Sequence, residues 1–194
     1  HTRPDVAYLS LEHLESNTNR IIGHGVASDV KSTKSVFRPG DVLYGKLRPY
    51  LNKVVIPDRD GICSTDILVF RSPTGLMSRW LMWFLSLPDV VQFATDHQKG
   101  LNLPRVSFGD LGSLKLPLPP LAEQERIVEK VEALLARVRS VRQRLAAVPD
   151  ILKHFRQAVL AHACSGTLTE DWRGTDVDDH DDGLPRGWSR PSLS

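Results

Sequence analysis

The sequence predicts an α+β fold, a mixed β-rich domain followed by a long projecting helix of the coiled-coil type. Two observations carry this. Before residue 117, short β-branched and aromatic runs alternate with Gly, Pro and Asp turn signals. After it, apolar residues recur at Ile127, Val131, Leu134, Val138, Val141, Leu145, Val148, Leu152, Phe155 and Val159. The steps of four and three never slip, which is a heptad seam and narrower than the stripe of a helix lying on a globular core. These ten residues are the candidate helix-pairing face. The two parts meet in Leu116-Pro-Leu-Pro-Pro-Leu-Ala-Glu-Gln-Glu-Arg-Ile-Val-Glu-Lys-Val131. The domain plan is thus a β-rich unit over 1–117, a helix over 118–166, an acidic linker over 167–183 and a new beginning over 184–194.

In the first unit, Val6-Ala-Tyr-Leu-Ser-Leu11 alternates as a strand does. Gly23-His-Gly25 marks a turn, and residues 28–34 form a polar loop. Arg38-Pro-Gly-Asp41 is a turn that opens a strand over 42–44. Residues 45–50 form a basic loop with an aromatic, and 52–56 a second strand. Pro57-Asp-Arg-Asp-Gly61 is a turn before a third strand over 62–70, which makes a three-stranded meander. Residues 78–86 read as a helix with Trp80, Phe84 and Leu87 on one side, and Pro88-Asp89 opens a second helix. A polar loop covers 98–105, and 113–116 read as a last strand.

The long helix begins after Pro119 and Pro120, where missing N–H groups have no partner in any case. Glu123 and Glu125 suit the positive end of its dipole, and Gly166 suits its C-terminal cap. Pro149 falls inside the seam without shifting its phase. One long helix kinked there and two nearly collinear helices both satisfy the pattern. From 121 to 164 the helix spans about 65 Å, too long to bury against a domain of this size.

Composition narrows the function classes. A hydrophobic fraction of 41% permits a sizeable core. The longest apolar run, at 80–85, is far too short to span a bilayer. Cys63 and Cys164 lack metal spacing and read as reduced, buried thiols of a cytoplasmic protein. Seven acidic residues cluster at 170–182, leaving 22 basic against 16 acidic residues over 1–169. That +6 is compatible with a nucleic-acid partner.

No phosphate loop, dinucleotide fingerprint, nucleophile elbow or zinc spacing is present, so no catalytic residue, metal ligand or cofactor is assigned to the chain. The best binding candidate is the basic-aromatic loop of Lys46, Arg48, Tyr50 and Lys53. Lys and Arg neutralise phosphates, and Arg also reads guanine edges. Lys99, Asn102 and Arg105 form a second candidate, since Asn pairs bidentately with adenine. A solvated loop accounts for either group equally well. Trp80, Trp83 and Phe84 read as core, and Arg137, Arg139, Arg142 and Arg144 as a solvated or partner-facing helix surface.

The junction at 116–128 resembles that of specificity (S) subunits of type I restriction-modification systems, where a target recognition domain runs into a spacer helix. Gly40-Asp-Val-Leu-Tyr-Gly-Lys-Leu-Arg48 is similar to a strand and loop of the family's recognition domain. Phe155-Arg-Gln-Ala-Val-Leu-Ala-His-Ala-Cys-Ser-Gly-Thr-Leu168 is similar to the end of its spacer. Leu184-Pro-Arg-Gly-Trp188 resembles the opening of a recognition domain, and His1 begins without one. The resemblance therefore implies the first half of such a subunit, lacking the start of its first domain.

It further implies a non-catalytic subunit that reads one half of a bipartite duplex DNA target. The spacer would pair antiparallel with its counterpart from the other half. Two modification (M) subunits carrying S-adenosylmethionine would be recruited, and restriction (R) subunits would join for cleavage. Two copies of this chain are expected to dimerise through their spacers. A coiled-coil interaction module without DNA specificity is the alternative, and an enzyme with an unrecognised site the third reading.

Overall fold

The computed structural model describes residues 6–26, 35–173, 185, 188–189 and 191–192. The expected polar loop at 28–34 lies outside the described residues, as do most of the acidic linker and of the 184–194 opening. The chain divides into two units, His1–Glu132 and Ala133–Ser194.

The described residues of the first unit form seven strands: β1 (Ala7–Leu9), β2 (Gly25–Val26), β3 (Ser35–Phe37), β4 (Val42–Gly45), β5 (Val54–Val55), β6 (Gly61–Cys63) and β7 (Ile67–Phe70). They form two sheets, one ordered β2-β1-β6-β3 and one ordered β5-β4-β7. The first is mixed. β1 runs parallel to β6, with Tyr8 opposite Ile62, while β2 and β3 are antiparallel to their neighbours. The second is antiparallel throughout, with Leu43 opposite Val55 and Val69. Three helices follow, α1 (Ser78–Leu85), α2 (Pro88–Asp96) and α3 (Phe108–Gly112).

Strand periodicity explains the layering. Along β4, Val42 and Tyr44 face one cluster, with Val54, Met82, Leu85, Val90, Ala94, Val106 and Leu111. Leu43 faces the other, with Leu9, Leu14, Phe37, Val55, Cys63 and Ile67. The three-stranded sheet is thus the middle layer, between the helices and the four-stranded sheet, and β4 is buried along its whole length. Gly61 is required inside the four-stranded sheet, where β6 pairs with both β1 and β3. A Cβ there would lie 2.6 Å from the Ala7 carbonyl and closer still to Phe37 Cζ. The 38–41 turn forms as expected: Asp41 N–H donates to the Arg38 carbonyl (3.1 Å), and Gly40 takes φ +87°.

Four expectations are corrected. The third strand is two strands: Ser64, Thr65 and Asp66 form a turn, and β6 and β7 join different sheets, so there is no simple meander. Residues 113–116 form no strand. Ser107 instead caps α3 through a reciprocal pair with Asp110, and the chain runs in irregular form to the long helix. The buried face of α1 is Met82 and Leu85, whereas Leu87 is exposed and Trp80 and Phe84 are half-buried. Cys63 is buried as read, but Cys164 is exposed.

The helix α4 (Leu121–Ser165) is continuous through Pro149 and ends at Gly166 in the left-handed conformation, φ +80°. Its first turns are bolted to the first unit by Gln124, which is fully buried. Gln124 Oε1 accepts from Met77 N–H (2.9 Å), and Nε2 donates to the carbonyls of Gly75 (2.9 Å) and Pro119 (2.7 Å). Val128 is buried beside it, Trp80 Nε1–H donates to the Pro117 carbonyl (2.9 Å), and Arg79 pairs with Glu132 (3.2 Å). The second unit holds the rest of α4, a short 3-10 turn (Thr167–Thr169) and α5 (Glu170–Arg173).

Candidate nucleic-acid interface

The two candidate loops form one surface because β4 does not stop pairing at Gly45. Lys46 N–H donates to the Asp66 carbonyl (2.9 Å), Val106 N–H to the Lys46 carbonyl (3.0 Å), and Arg48 N–H to the Pro104 carbonyl (2.8 Å). Leu47 and Arg105 form an antiparallel bridge. Beyond it a 3-10 turn (Pro49–Leu51) is flanked by Arg48 (φ +53°) and Asn52 (φ +46°). Left-handed non-glycine residues cost on the order of 1 kcal/mol or more and persist only where surroundings over-determine them. Here the Arg48 N–H bond to Pro104 and the Asn52 Nδ2–H bond to the Ser86 carbonyl (3.2 Å) do so.

The second loop is closed at its base. Lys99 and Arg105 exchange both backbone hydrogen bonds, each 2.9 Å, and Gly100 takes φ +103°. The Arg105 guanidinium grips Asp66 with two bonds, Nε to Oδ1 at 2.7 Å and Nη2 to Oδ2 at 3.4 Å. That hydrogen bond raises the Arg105 pKa further above its ordinary value. Between the closing residues, Leu101 is fully exposed at 101%, and Asn102 and Leu103 are exposed as well.

The seven sequence-derived residues therefore divide by role. Arg48, Tyr50, Lys99 and Asn102 are exposed, and Lys46 and Arg105 half-buried. Lys46 and Arg48 have no side-chain ion pair or hydrogen bond among the described residues. Lys99 acts through space on Asp110, whose pKa is lowered chiefly by its bond to Ser107. Arg105 is committed to Asp66. Lys53 is drawn the other way: its Nζ donates to the Leu11 carbonyl at 2.6 Å. The sum is a surface with cations in excess around an aromatic and an amide, the donors that phosphates and base edges accept from. Asp66 and Leu101 escaped sequence reading. Asp66 sat inside an apparently unbroken apolar strand, and an isolated Leu in a polar loop carries no signal.

The helix surface is a second candidate. Ile127, Val131 and Val159 are half-buried, whereas Leu134, Val138, Val141, Leu145, Val148, Leu152 and Phe155 are exposed. Leu145 stands 63% and Phe155 66% exposed, which is high for large apolar side chains spaced as a coiled-coil seam. Among the described residues no group of three His, Cys, Asp or Glu side chains is placed to hold a metal ion, and no helix is long and apolar enough to cross a membrane.

Residues 8–150 match the family model described as type I restriction modification DNA specificity domain. The chain is 32% identical over 179 residues to the type I restriction enzyme EcoDI specificity subunit of Escherichia coli, covering 90% of this chain and 39% of that protein. It is 47% identical over 74 residues to the EcoKI specificity subunit of E. coli K12, covering 38% of this chain and 16% of that protein. Its fold is similar to the HsdS subunit from Thermoanaerobacter tengcongensis (TM-score 0.62, 29% identity, 95% of this chain and 46% of that one). A structure of type I R-M system assembly is similar in the same degree (TM-score 0.64, 28% identity, 95% and 46%). The chain spans less than half the length of these relatives.

Proposed function

Because the chain belongs to the family of type I restriction modification DNA specificity domains, we propose that it reads one half of a bipartite duplex DNA target within a type I restriction-modification complex. The observation that carries this is the zipping of residues 46–50 and 99–105 into one cationic surface, braced on both sides by backbone hydrogen bonds. Lys46, Arg48 and Lys99 neutralise phosphates, and Asn102 reaches a base edge. Lys53 and Arg105 hold the loops.

The exposed seam of α4 supports the second half of the reading. It pairs with the equivalent helix of the other half-site's recognition domain, so that helix length sets the gap between half-sites. Modification subunits, which bring S-adenosylmethionine, join this scaffold, and restriction subunits join them. The chain contributes recognition and assembly, and the chemistry belongs to its partners.

The test is capture of random duplexes by the chain together with a modification subunit, followed by sequencing of what is retained at increasing salt. An enriched motif whose retention falls steeply with salt is the expected result. Capture of the modification subunit with no enriched motif supports the interaction-module reading instead, which the exposed seam alone would satisfy.

A further inference from the structure

The 99–105 loop is a closed finger, not a slack one. Two backbone bonds between Lys99 and Arg105 seal its base, and Gly100 makes the turn that lets the chain double back, where a Cβ would meet the Leu103 carbonyl oxygen at 3.0 Å. The Arg105 guanidinium fixes the finger from within, donating to the Leu103 carbonyl (3.3 Å) and to both oxygens of Asp66. Asp66 is itself anchored, because its carbonyl takes Lys46 N–H at the end of β4. A rigid finger on a rigid strand holds its tip to the tolerance that base readout demands. At that tip Leu101 is wholly exposed beside Asn102, with the uncommitted cations Lys46 and Arg48 on the adjoining strand end.

Resting on the DNA-reading assignment above, we propose that the 99–105 finger is the base-reading element, that Leu101 and Asn102 together read A·T-containing sequence in the major groove, and that Asp66 is its positioning residue. The chemistry is complementary side by side. Asn102 pairs with adenine N6 and N7, and the Leu101 side chain covers a thymine 5-methyl, the one apolar group on the major-groove edge. Asp66 touches no base; it acts through Arg105.

The experiment uses the full chain and the duplex it selects. Thymine is replaced by uracil one position at a time, which removes the methyl and nothing else. Wild-type affinity is expected to fall about fourfold at one position, the value of one buried methyl-sized group. Leu101→Ala should abolish that sensitivity while leaving the salt dependence of binding unchanged. Asp66→Asn should lower affinity for the selected duplex about tenfold but not for random duplex, and exchange of the pair (Asp66→Arg with Arg105→Asp) should restore part of the loss. Leu101 is exposed, so its variant tests the contact without a folding cost. If Leu101→Ala keeps full uracil sensitivity, or if no position is sensitive, the finger assignment is overturned while the DNA-reading assignment stands. If the wild-type chain prefers no duplex at all, both fall.

Discussion

Replacing Gln124 with alanine strips the joint between the β-rich unit and α4 of three hydrogen bonds at once. Its amide accepts from Met77 N–H and donates to the Gly75 and Pro119 carbonyls, all within 2.7–2.9 Å, at a site with no solvent exposure. A typical net hydrogen bond contributes about 1 kcal/mol, and a stranded buried group costs about 1–3 kcal/mol, so the loss should be about 3–4 kcal/mol. At roughly 2–4 °C per kcal/mol for a chain of this size, the melting midpoint drops by about 10 °C. Hydrogen exchange gives the local check. Met77 N–H should be protected in the native chain and exchange far faster in the variant, while β4 amides slow or speed only with global stability. Glutamate at 124 should be as damaging, because its carboxylate would face two carbonyl oxygens. A Gln124→Ala chain within about 1 kcal/mol of wild type, with Met77 still protected, would show that Gln124 does not hold this joint.

Val138→Asp or Leu145→Asp should leave the thermal stability of the monomer unchanged within about 0.5 kcal/mol, since both sites are exposed. The expected pairing of two copies through the seam is checked by light scattering, which should give a dimer for the wild-type chain and a monomer for either variant. Tyr44 is buried, its hydroxyl has no partner among the described residues, and burial pushes its pKa up from 10.0 to about 12. The unfolded chain therefore ionises first, and stability falls between pH 10 and pH 12 by about 2–3 kcal/mol. Tyr44→Phe should remove that decline and add about 1 kcal/mol at pH 7, read by urea titration at each pH. Gly61→Ala should cost about 1–3 kcal/mol or more, because the new methyl meets Phe37 and the Ala7 carbonyl across the β1–β6 pair. With a thiol reagent, Cys164 should react at once, whereas Cys63, buried with its pKa raised to about 11, should react only on unfolding.

The long helix could be read residue by residue because its signals are local. A seam of steps four and three, prolines before its first turn and a glycine after its last act within a few residues of one another. Pro149 was ambiguous locally, and the structure carries the helix through it. Sheet pairing is not local. β1 meets β6 across some fifty residues, and nothing in either run marks them as parallel neighbours. The 62–70 run looked like one strand because Ile, Val and Phe outnumber the three turn residues that split it. The 113–116 run was expected to be a last strand, but among the described residues no ladder partner reaches it. The interface was half legible for the same reason. Composition found both basic loops, but only the ladder from Arg48 to Pro104 makes them one surface, and only the fold distinguishes Arg105, held by Asp66, from the uncommitted Arg48. Gln124 passed as an ordinary helix residue because its role depends on the Gly75 carbonyl and the Met77 N–H, both nearly fifty positions away.

On the proposed function, the surface joining residues 46–50 to 99–105 distinguishes one DNA sequence from another. Its most direct measurement is the ratio of dissociation constants for the selected duplex and a scrambled duplex of equal length, at one fixed salt concentration. Specific recognition predicts a ratio of about 10³ or more, with Arg48→Ala weakening both duplexes and lowering the salt slope by about one. A ratio near one, with the chain folded and a modification subunit captured, would contradict it.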